Sequence, residues 1–597
     1  MKILHQMTNL LHKNNKADID LCITTSLALL TLEKLSYDKK IDKGTQDMSA
    51  HIDGEFIRDI MQHVANNKDY GKNISDAYKF YIEEYFVRVQ DNISDMYLNE
   101  ASILAREFIK TGLLSKQSVK DDLALWLNSY ANHRTGAYFM PREISDLLVG
   151  LVDIHKDDDV CVEWDFGAQL GIKASEITSK VVIENPLRSC IPLFIDILSE
   201  SNISFEFCDP IINPSRVSDG KLHRYDVTLS HPPFGIRSDV YKKAAKDDWF
   251  NRFPEKTNQG TILAIRHLLS TTKRIGIITV QDSILFSPGV GRNFREDLIN
   301  QGVVSAVISM PSGLLPHTNI GFSILILTPS KVNDTVKFVD LRVDTSLAIK
   351  FKLLTNLNKV LSLVLEDNES KYTKNIPNTE IESSGYNLSP GKYVLDSDMQ
   401  SIHKFLKNEK TSTLGQHVEI IRPRVHRKGI DSGLDVLEIG AADIPNRGYI
   451  DQPVKSTLLD EVIPKNFAKH NDIVVIAKGS TGKVGIVPSN VPESGKNGWI
   501  LGQSAIILRV ISDEIDPNSL LIYLRSKMGQ SLLKNITSGS TIPFIKLSDL
   551  KELPIIVPNI ETKDKINKAL ARENEISQKI KTLHAEQIAL TDGIWSI

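Results

Sequence analysis

The stretch Tyr225-Asp-Val-Thr-Leu-Ser-His-Pro-Pro-Phe-Gly235 constrains this chain more than any other. An apolar strand, Val227 to Leu229, runs directly into two consecutive prolines. Each proline fixes φ and removes a backbone donor, so the chain leaves a sheet along one defined path. His231 before the turn and Phe234 after it are then held at the carboxyl end of the strand. Ligands of open α/β sheets sit at that edge.

The surrounding pattern says which sheet this is. Residues 1–128 step at helical period (Ile57, Ile60, Met61, Val64; Phe80, Ile82, Phe86, Val87) without strand-like runs, which predicts an N-terminal helical bundle. From 129 to 398, short apolar segments alternate with amphipathic ones: Val160-Val162, Lys180-Ile183, Ser204-Phe207, Asp226-Leu229, Ile275-Val280, Val303-Ser309 and Ser323-Leu327. That alternation predicts an α/β, Rossmann-like domain with a mostly parallel, doubly wound sheet. Residues 399–560 are rich in Gly, Ile and Val with regular turn signals, and predict an α+β domain closing on Leu553-Pro-Ile-Ile-Val-Pro558. Residues 561–597 predict a long charged helix whose apolar seam (Ile566, Ala569, Ile576, Ile580, Leu583, Leu590) is interrupted by Glu573 and Gln587.

Composition adds bounds. At 597 residues, 41 % apolar and 24 % charged, the chain reads as an ordinary globular protein of several domains. Cys22, Cys161, Cys190 and Cys208 lack metal-type spacing and read as reduced thiols of a cytoplasmic protein, with no metal expected. Leu21 to Leu30 is too short and too polar to cross a bilayer and carries no signal-cleavage pattern, so no membrane partner is expected. A net charge of −3 leaves nucleic acid open, because a basic groove on a near-neutral protein serves as well.

The Pro-Pro-Phe stretch resembles the Asn-Pro-Pro-Phe motif of adenine-specific DNA methyltransferases, especially the modification subunits of type I restriction systems. Ile277-Ile-Thr-Val-Gln281, Val307-Ile-Ser-Met-Pro311, Asn319-Ile-Gly-Phe322 and Asn387-Leu-Ser-Pro-Gly-Lys-Tyr393 extend the likeness. Asp472-Ile-Val-Val-Ile-Ala-Lys-Gly-Ser-Thr-Gly-Lys-Val-Gly485 and Gly539-Ser-Thr-Ile-Pro-Phe544 resemble one target-recognition domain of a type I specificity subunit. The resemblance implies S-adenosylmethionine as cofactor and a flipped adenine as target. It places His231, Pro232, Pro233 and Phe234 around that base. It places Tyr138 and Pro141 (in Gly136-Ala-Tyr-Phe-Met-Pro-Arg-Glu143), Glu163 and Gly167 (in Glu163-Trp-Asp-Phe-Gly-Ala-Gln169), Glu184 and Asp209 around the cofactor.

Methyl transfer needs little acid–base help; it needs a cofactor pocket and a positioned nitrogen acceptor. Four departures surround that pocket: Met140 for Thr, Asp165 for a small apolar residue, Gln169 for the loop's second glycine, and His231 for Asn. Glycine there serves close backbone approach, so Gln169 is expected to fill the methionine moiety's space. Asp165 is expected to set a second carboxylate beside the cofactor's own. Aligned without a gap, Ile183 falls at the ribose acid's place and Glu184 one residue late. A neutral imidazole accepts one hydrogen bond, from elsewhere than an Asn oxygen, and a protonated one accepts none.

In the C-terminal region, the run Arg422-Pro-Arg-Val-His-Arg-Lys428 offers Arg422, Arg424, Arg427 and Lys428 as a phosphate clamp, or as a solvated loop. Lys478, Ser480, Lys483 and Thr541 sit in loops expected to meet phosphate or base edges. Gly479-Ser-Thr-Gly-Lys-Val484 is not a Walker loop, because Ala477 and Val484 stand where that pattern needs Gly and Ser or Thr.

The expectation is a sequence-specific protein binding double-stranded DNA, of restriction-modification or anti-phage defence type, with a methyltransferase fold that has lost catalysis. A homodimer through the last helix would read a split palindrome. Two alternatives stand beside it: an active adenine-specific methyltransferase, and an assembly or sensor subunit recruiting a nuclease or helicase.

Overall fold

Nine strands make the sheet on which the first part of the chain is built. They are β1 Val160–Glu163, β2 Val181–Glu184, β3 Ser204–Glu206, β4 Tyr225–Ser230, β5 Thr272–Gln281, β6 Val304–Ser309, β7 Phe322–Leu327, β8 Thr335–Asp340 and β9 Thr373–Pro377. The computed structural model describes residues 2–13, 17–41, 54–112, 123, 126–127, 140–315, 320–342, 357–366, 368–394, 397–423, 433–459, 462–538 and 543–592. It separates into two compact units, residues 1–394 and 395–597.

The hydrogen-bonded order is β9-β8-β6-β7-β5-β4-β1-β2-β3. β7 runs antiparallel to β5 and β6, β9 runs antiparallel to β8, and the other pairs are parallel. Strands covered on both faces read as unbroken apolar runs, which is why Val160 to Val162 and Phe322 to Leu327 announce themselves in the sequence. All seven expected strands form. β8 and β9 were not expected; in β8 the apolar run is broken by Lys337, which is buried and donates to the Glu366 carbonyl. Strand order reverses between β1 and β4, so their carboxyl ends frame the switch-point crevice.

One apolar cluster joins the sheet to the N-terminal helices Ile19–Tyr37, Lys72–Tyr81 and Asp95–Lys110 and to helix Cys190–Ser199. Tyr78 meets Phe194 edge-on at 5.2 Å and its hydroxyl donates to the Ala28 carbonyl at 3.0 Å. Helix Ile19–Tyr37 is buried along most of its length, as befits a helix apolar on every side. Its buried Glu33 accepts from Ser102 Oγ at 2.9 Å and lies 3.3 Å from Arg106 Nε, so the charge is paired. A second cluster, including Trp164, Ile262, Leu263 and Phe294, brings in helices Gly260–Thr271 and Val290–Asn300. Among the described residues, no helix is long and apolar enough to cross a membrane.

In the second unit, strands Val418–Ile421, Ala505–Val510, Ile473–Ile476 and Val484–Ile486 form an antiparallel sheet in that order. A three-stranded sheet and helices Pro517–Arg525 and Lys527–Asn535 accompany it. Helix Ile560–Asp592 closes the unit; its 33 residues make it about 50 Å long. Glu573, expected only to interrupt an apolar seam, anchors this helix: it accepts from Gly448 N–H at 3.1 Å and Arg525 Nη1 at 3.3 Å. Leu570 is buried on the docked side, while Ile580 and Leu583 are 60 % and 63 % exposed.

Because Phe194 is fully buried against Tyr78 and Tyr81 of the neighbouring helix, Phe194→Ala is expected to cost roughly 3–5 kcal/mol, read by urea unfolding.

Candidate functional site

Strand register assembles the site. Glu163 at the end of β1 lies opposite Glu184 of β2 and Ser230 of β4, and Glu184 lies opposite Glu206 of β3. Glu184 therefore ends its strand level with Glu163.

Glu163 is fully buried and accepts from Ser230 Oγ at 2.9 Å. Burial, reinforced by the nearby Glu184 charge, pushes its carboxyl well above the usual range. Behind it, His267 is held neutral by burial and by the Arg252 charge. Arg252 Nη1 donates to His267 Nδ1 at 2.7 Å, which makes Nε2 the protonated nitrogen, 3.4 Å from Glu163 Oε1. None of these partners was read from the sequence; Ser230, adjoining His231, was the nearest signal.

The loop after β1 is closed by its own residues. Gln169 lies against Gly167: a Cβ added to Gly167 would stand 2.2 Å from Gln169 Oε1. Asp165 turns toward the first turn of helix Gln169–Ser175, where Oδ2 accepts from Gly171 N–H at 2.8 Å. This contact with the start of its own helix was not read from the sequence. Burial raises Asp165 to about 7, held down by the backbone N–H groups of Gly171, Leu170 and Gln169. Trp164 and Ala168 both adopt positive φ, 57° and 58°, in this short loop. For a bulky buried residue such as Trp164 that is strain of the order of 1–3 kcal/mol, the kind that gathers at functional sites. Met140 and Pro141 are buried, with Pro141 capping helix Arg142–Gly150; Tyr138 lies outside the described residues.

The two further acids are also engaged. Glu184 Oε1 accepts from Ser215 Oγ at 2.6 Å and Tyr225 Oη at 3.2 Å, and burial raises its pKa. Asp209 Oδ1 accepts from the N–H groups of Ile211 and Ile212 at 2.9 and 3.1 Å, and Oδ2 from Tyr241 Oη at 3.1 Å.

At the target-base position, His231 is buried, its N–H donating to the Glu163 carbonyl at 3.1 Å. Its Nδ1 lies 2.6 Å from Thr279 Oγ1 of β5, a partner the sequence did not suggest. Phe234 meets the imidazole edge-on at 5.7 Å and stacks on Phe322 at 6.0 Å. Pro232 is buried and Pro233 half-buried, so the turn is held as the two prolines require.

In the second unit, Lys478 and Ser480 are exposed at the tip between strands Ile473–Ile476 and Val484–Ile486. Gly479 and Gly482 have φ of 80° and 88°, which only glycine adopts freely. The tip is fixed: Gly479 N–H donates to the Pro543 carbonyl at 2.8 Å, and Gln530 Nε2 to that of Gly482 at 3.0 Å. Lys483 is exposed and bonds the Ala441 carbonyl at 3.1 Å. Arg422 is exposed just past its strand; Arg424, Arg427, Lys428 and Thr541 lie outside the described residues. Among the described residues no group of His, Cys, Asp and Glu could hold a metal ion.

With this geometry in place, the comparisons define a class. Residues 199–401 match the N-6 DNA methylase family, and residues 442–591 match the type I restriction modification DNA specificity domain. The chain thus carries a segment matching a DNA-methylase family ahead of one matching a DNA-specificity family, and it is similar to type I restriction-modification methylase subunits. It is 23 % identical over 385 residues to the type I restriction enzyme MpnII methylase subunit of Mycoplasma pneumoniae, covering 57 % of this chain and 69 % of that one. It is 21 % identical to the MjaVII methylase subunit of Methanocaldococcus jannaschii, covering 46 % of this chain and 52 % of that one. A chain from a structural study of complex assembly in the type I R-M system matches in fold with a TM-score of 0.50 and 15 % identity, covering 68 % of this chain and 94 % of that one.

The buried acids make a pH prediction. Asp165 keeps its proton in the folded protein up to about pH 7, whereas its ordinary pKa is 3.8. Between those values the unfolded chain binds fewer protons, so stability falls as pH rises. Asp165→Asn keeps the acceptor for Gly171 and is expected to flatten that fall in unfolding curves measured across the interval.

Proposed function

We propose that this protein is a sequence-specific DNA-binding member of a restriction-modification or related defence system whose methylase-type domain grips DNA without transferring a methyl group. The observation that carries this reading is the closed loop after β1. The Gln169 carboxamide occupies the approach to Gly167, and Asp165 takes the N–H group that an incoming carboxylate would use. Glu184 and Asp209 spend their carboxylate oxygens on Ser215, Tyr225, Tyr241 and their own turn. These residues do not fit S-adenosylmethionine in the pose the family resemblance implies, and His231 offers an imidazole where that resemblance implies a carboxamide.

The specificity domain supplies the reader. Its glycine tip presents Lys478 and Ser480 from a braced backbone, which suits contact with phosphate and base edges. The last helix supplies a dimer contact. Its undocked face shows Ile576, Ile580, Leu583 and Leu590 to solvent on a helix anchored through Glu573. Pairing two such faces would bury that seam and give two half-sites related by a two-fold axis.

One observation favours the enzyme. Gln169 Oε1 and Asn185 Oδ1 are buried acceptors without a hydrogen-bond partner among the described residues, and a ligand carrying amino donors would satisfy them.

Calorimetric titration with S-adenosylmethionine separates the two readings. No heat is expected from the natural chain at micromolar ligand; a micromolar isotherm, with methyl transfer to duplex DNA, would establish the enzyme. For the helix, Leu583→Glu is expected to turn a dimer into a monomer by light scattering, with unfolding of each unit unchanged because the residue is exposed.

A further inference from the structure

The chain that leaves Phe234 does not return at once to the sheet. It forms helix Asp239–Lys246 and then a turn through Asp247 to Phe253 before helix Gly260–Thr271 begins. That excursion is pinned to the carboxyl edge from beneath. Tyr241 Oη donates to Asp209 at 3.1 Å. Arg252, almost completely buried, donates to Asp248 Oδ1 at 2.7 Å, to the Pro210 and Ile211 carbonyls at 2.9 and 2.8 Å, and to His267 Nδ1 at 2.7 Å. Its guanidinium also lies 4.4 Å from the centre of the buried Phe253 ring.

On that mount, between the clamped Asp248 and Phe250, stands Trp249, 82 % exposed. Trp126, Trp164 and Trp499 are all buried. A large ring left in water by a turn this firmly held is presented rather than stranded. Around it in sequence, Arg237, Lys242, Lys243, Lys246 and Lys256 are exposed, against exposed Asp239 and Asp247. None of the five cations is ion-paired among the described residues. An excess of positive charge gathered here, on a chain whose net charge is −3, fits a polyanion.

We infer that Trp249 is a stacking residue for a nucleobase and that Lys242, Lys243 and Lys246 hold the flanking phosphates, making residues 237–256 a second DNA contact besides the specificity domain. This rests on the DNA-binding reading above and adds the surface by which the methylase-type domain takes part. An indole offers every base the same π-face, so the contact tolerates any sequence and leaves reading to the other unit. An apolar ring flanked by cations is also the pattern that wedges into a duplex and unstacks it.

The test uses the full-length chain in a Trp595→Phe background and a mixed-sequence duplex at modest salt. Binding is expected to quench the fluorescence of the exposed indole. Trp249→Phe should lose most of that quench while binding nearly as well. Trp249→Ala should bind about 5- to 150-fold more weakly, the worth of one stacked base. The Lys242→Ala, Lys243→Ala, Lys246→Ala triple variant should lower the slope of log affinity against log salt by roughly 2–3. These positions are exposed, so unchanged unfolding curves confirm folded variants. A natural chain that binds duplex with no quench, with both alanine variants keeping its affinity and slope, overturns this inference and leaves the specificity-domain reading standing. Failure of the natural chain to bind duplex at all overturns both, and binding instead to anionic phosphatidylserine vesicles through Trp249 would assign the surface to a membrane.

Discussion

The parallel register of β1 with β2 and β4 is what every later feature depends on. Glu163, Glu184 and Ser230 are neighbours only because those strands end level. A slip of one residue in such a ladder turns every side chain to the opposite face. The Glu163 carboxylate would then leave Ser230 and His267, and the loop that follows would start from the wrong side of the sheet. The burial of β1 and of all but Asp226 of β4 fixes that register, and the two prolines after Ser230 prevent β4 from continuing past it.

From that row, charge is handled by neutralisation rather than by solvent. Glu163 is pushed to hold its proton, His267 is kept neutral, and Arg252 is the buried cation, paired with Asp248 and three acceptors besides. Burying such groups is tolerable only when nearly every polar atom has a partner. The arrangement therefore stiffens the edge of the sheet, and it does so around groups that in a cofactor pocket would be left for the ligand. The positive φ of Trp164 and Ala168 belongs with the same row: the loop is tight, and Gln169 lies against Gly167 within it.

The sequence displayed the sheet well, because strands covered on both faces, such as β1 and β7, must be largely apolar; all seven expected segments form, the edge strand β3 with Ser204 exposed. β8 stayed hidden because Lys337, buried with its amine on a carbonyl, interrupts the run. The site was legible by position and not by partnership. Glu163, Gly167, Asp209 and His231 could be placed by their phrases, yet Ser230, Thr279, Tyr225 and Tyr241 could not, since those contacts join residues far apart along the chain. The contact of Asp165 was hidden differently: its partner is local, the Gly171 N–H in the first turn of the helix just downstream. Glu573 looked like a defect in an apolar seam until Arg525 and Gly448 gave it a partner.

The same logic separates what this edge has kept from what it has changed. On the proposed reading, the elements that would meet DNA are rigid and outward: the Pro-Pro turn with Phe234 stacked on Phe322, and the Arg252-clamped turn that lifts Trp249 into water. The elements that would shape a cofactor are rigid and inward, and most of their polar groups are paired with one another, Gln169 Oε1 and Asn185 Oδ1 excepted. Rigidity costs nothing extra when the partner is a duplex, which brings its own ordered surface, and pre-organised side chains then lose little entropy on binding. It is expensive when the partner must enter a closed loop, because the Gln169 side chain would have to move off Gly167 and Asp165 give up its contact with Gly171 first. On the proposed reading, a sheet edge built this way would favour the duplex over the cofactor, because most of its inward polar groups are already paired.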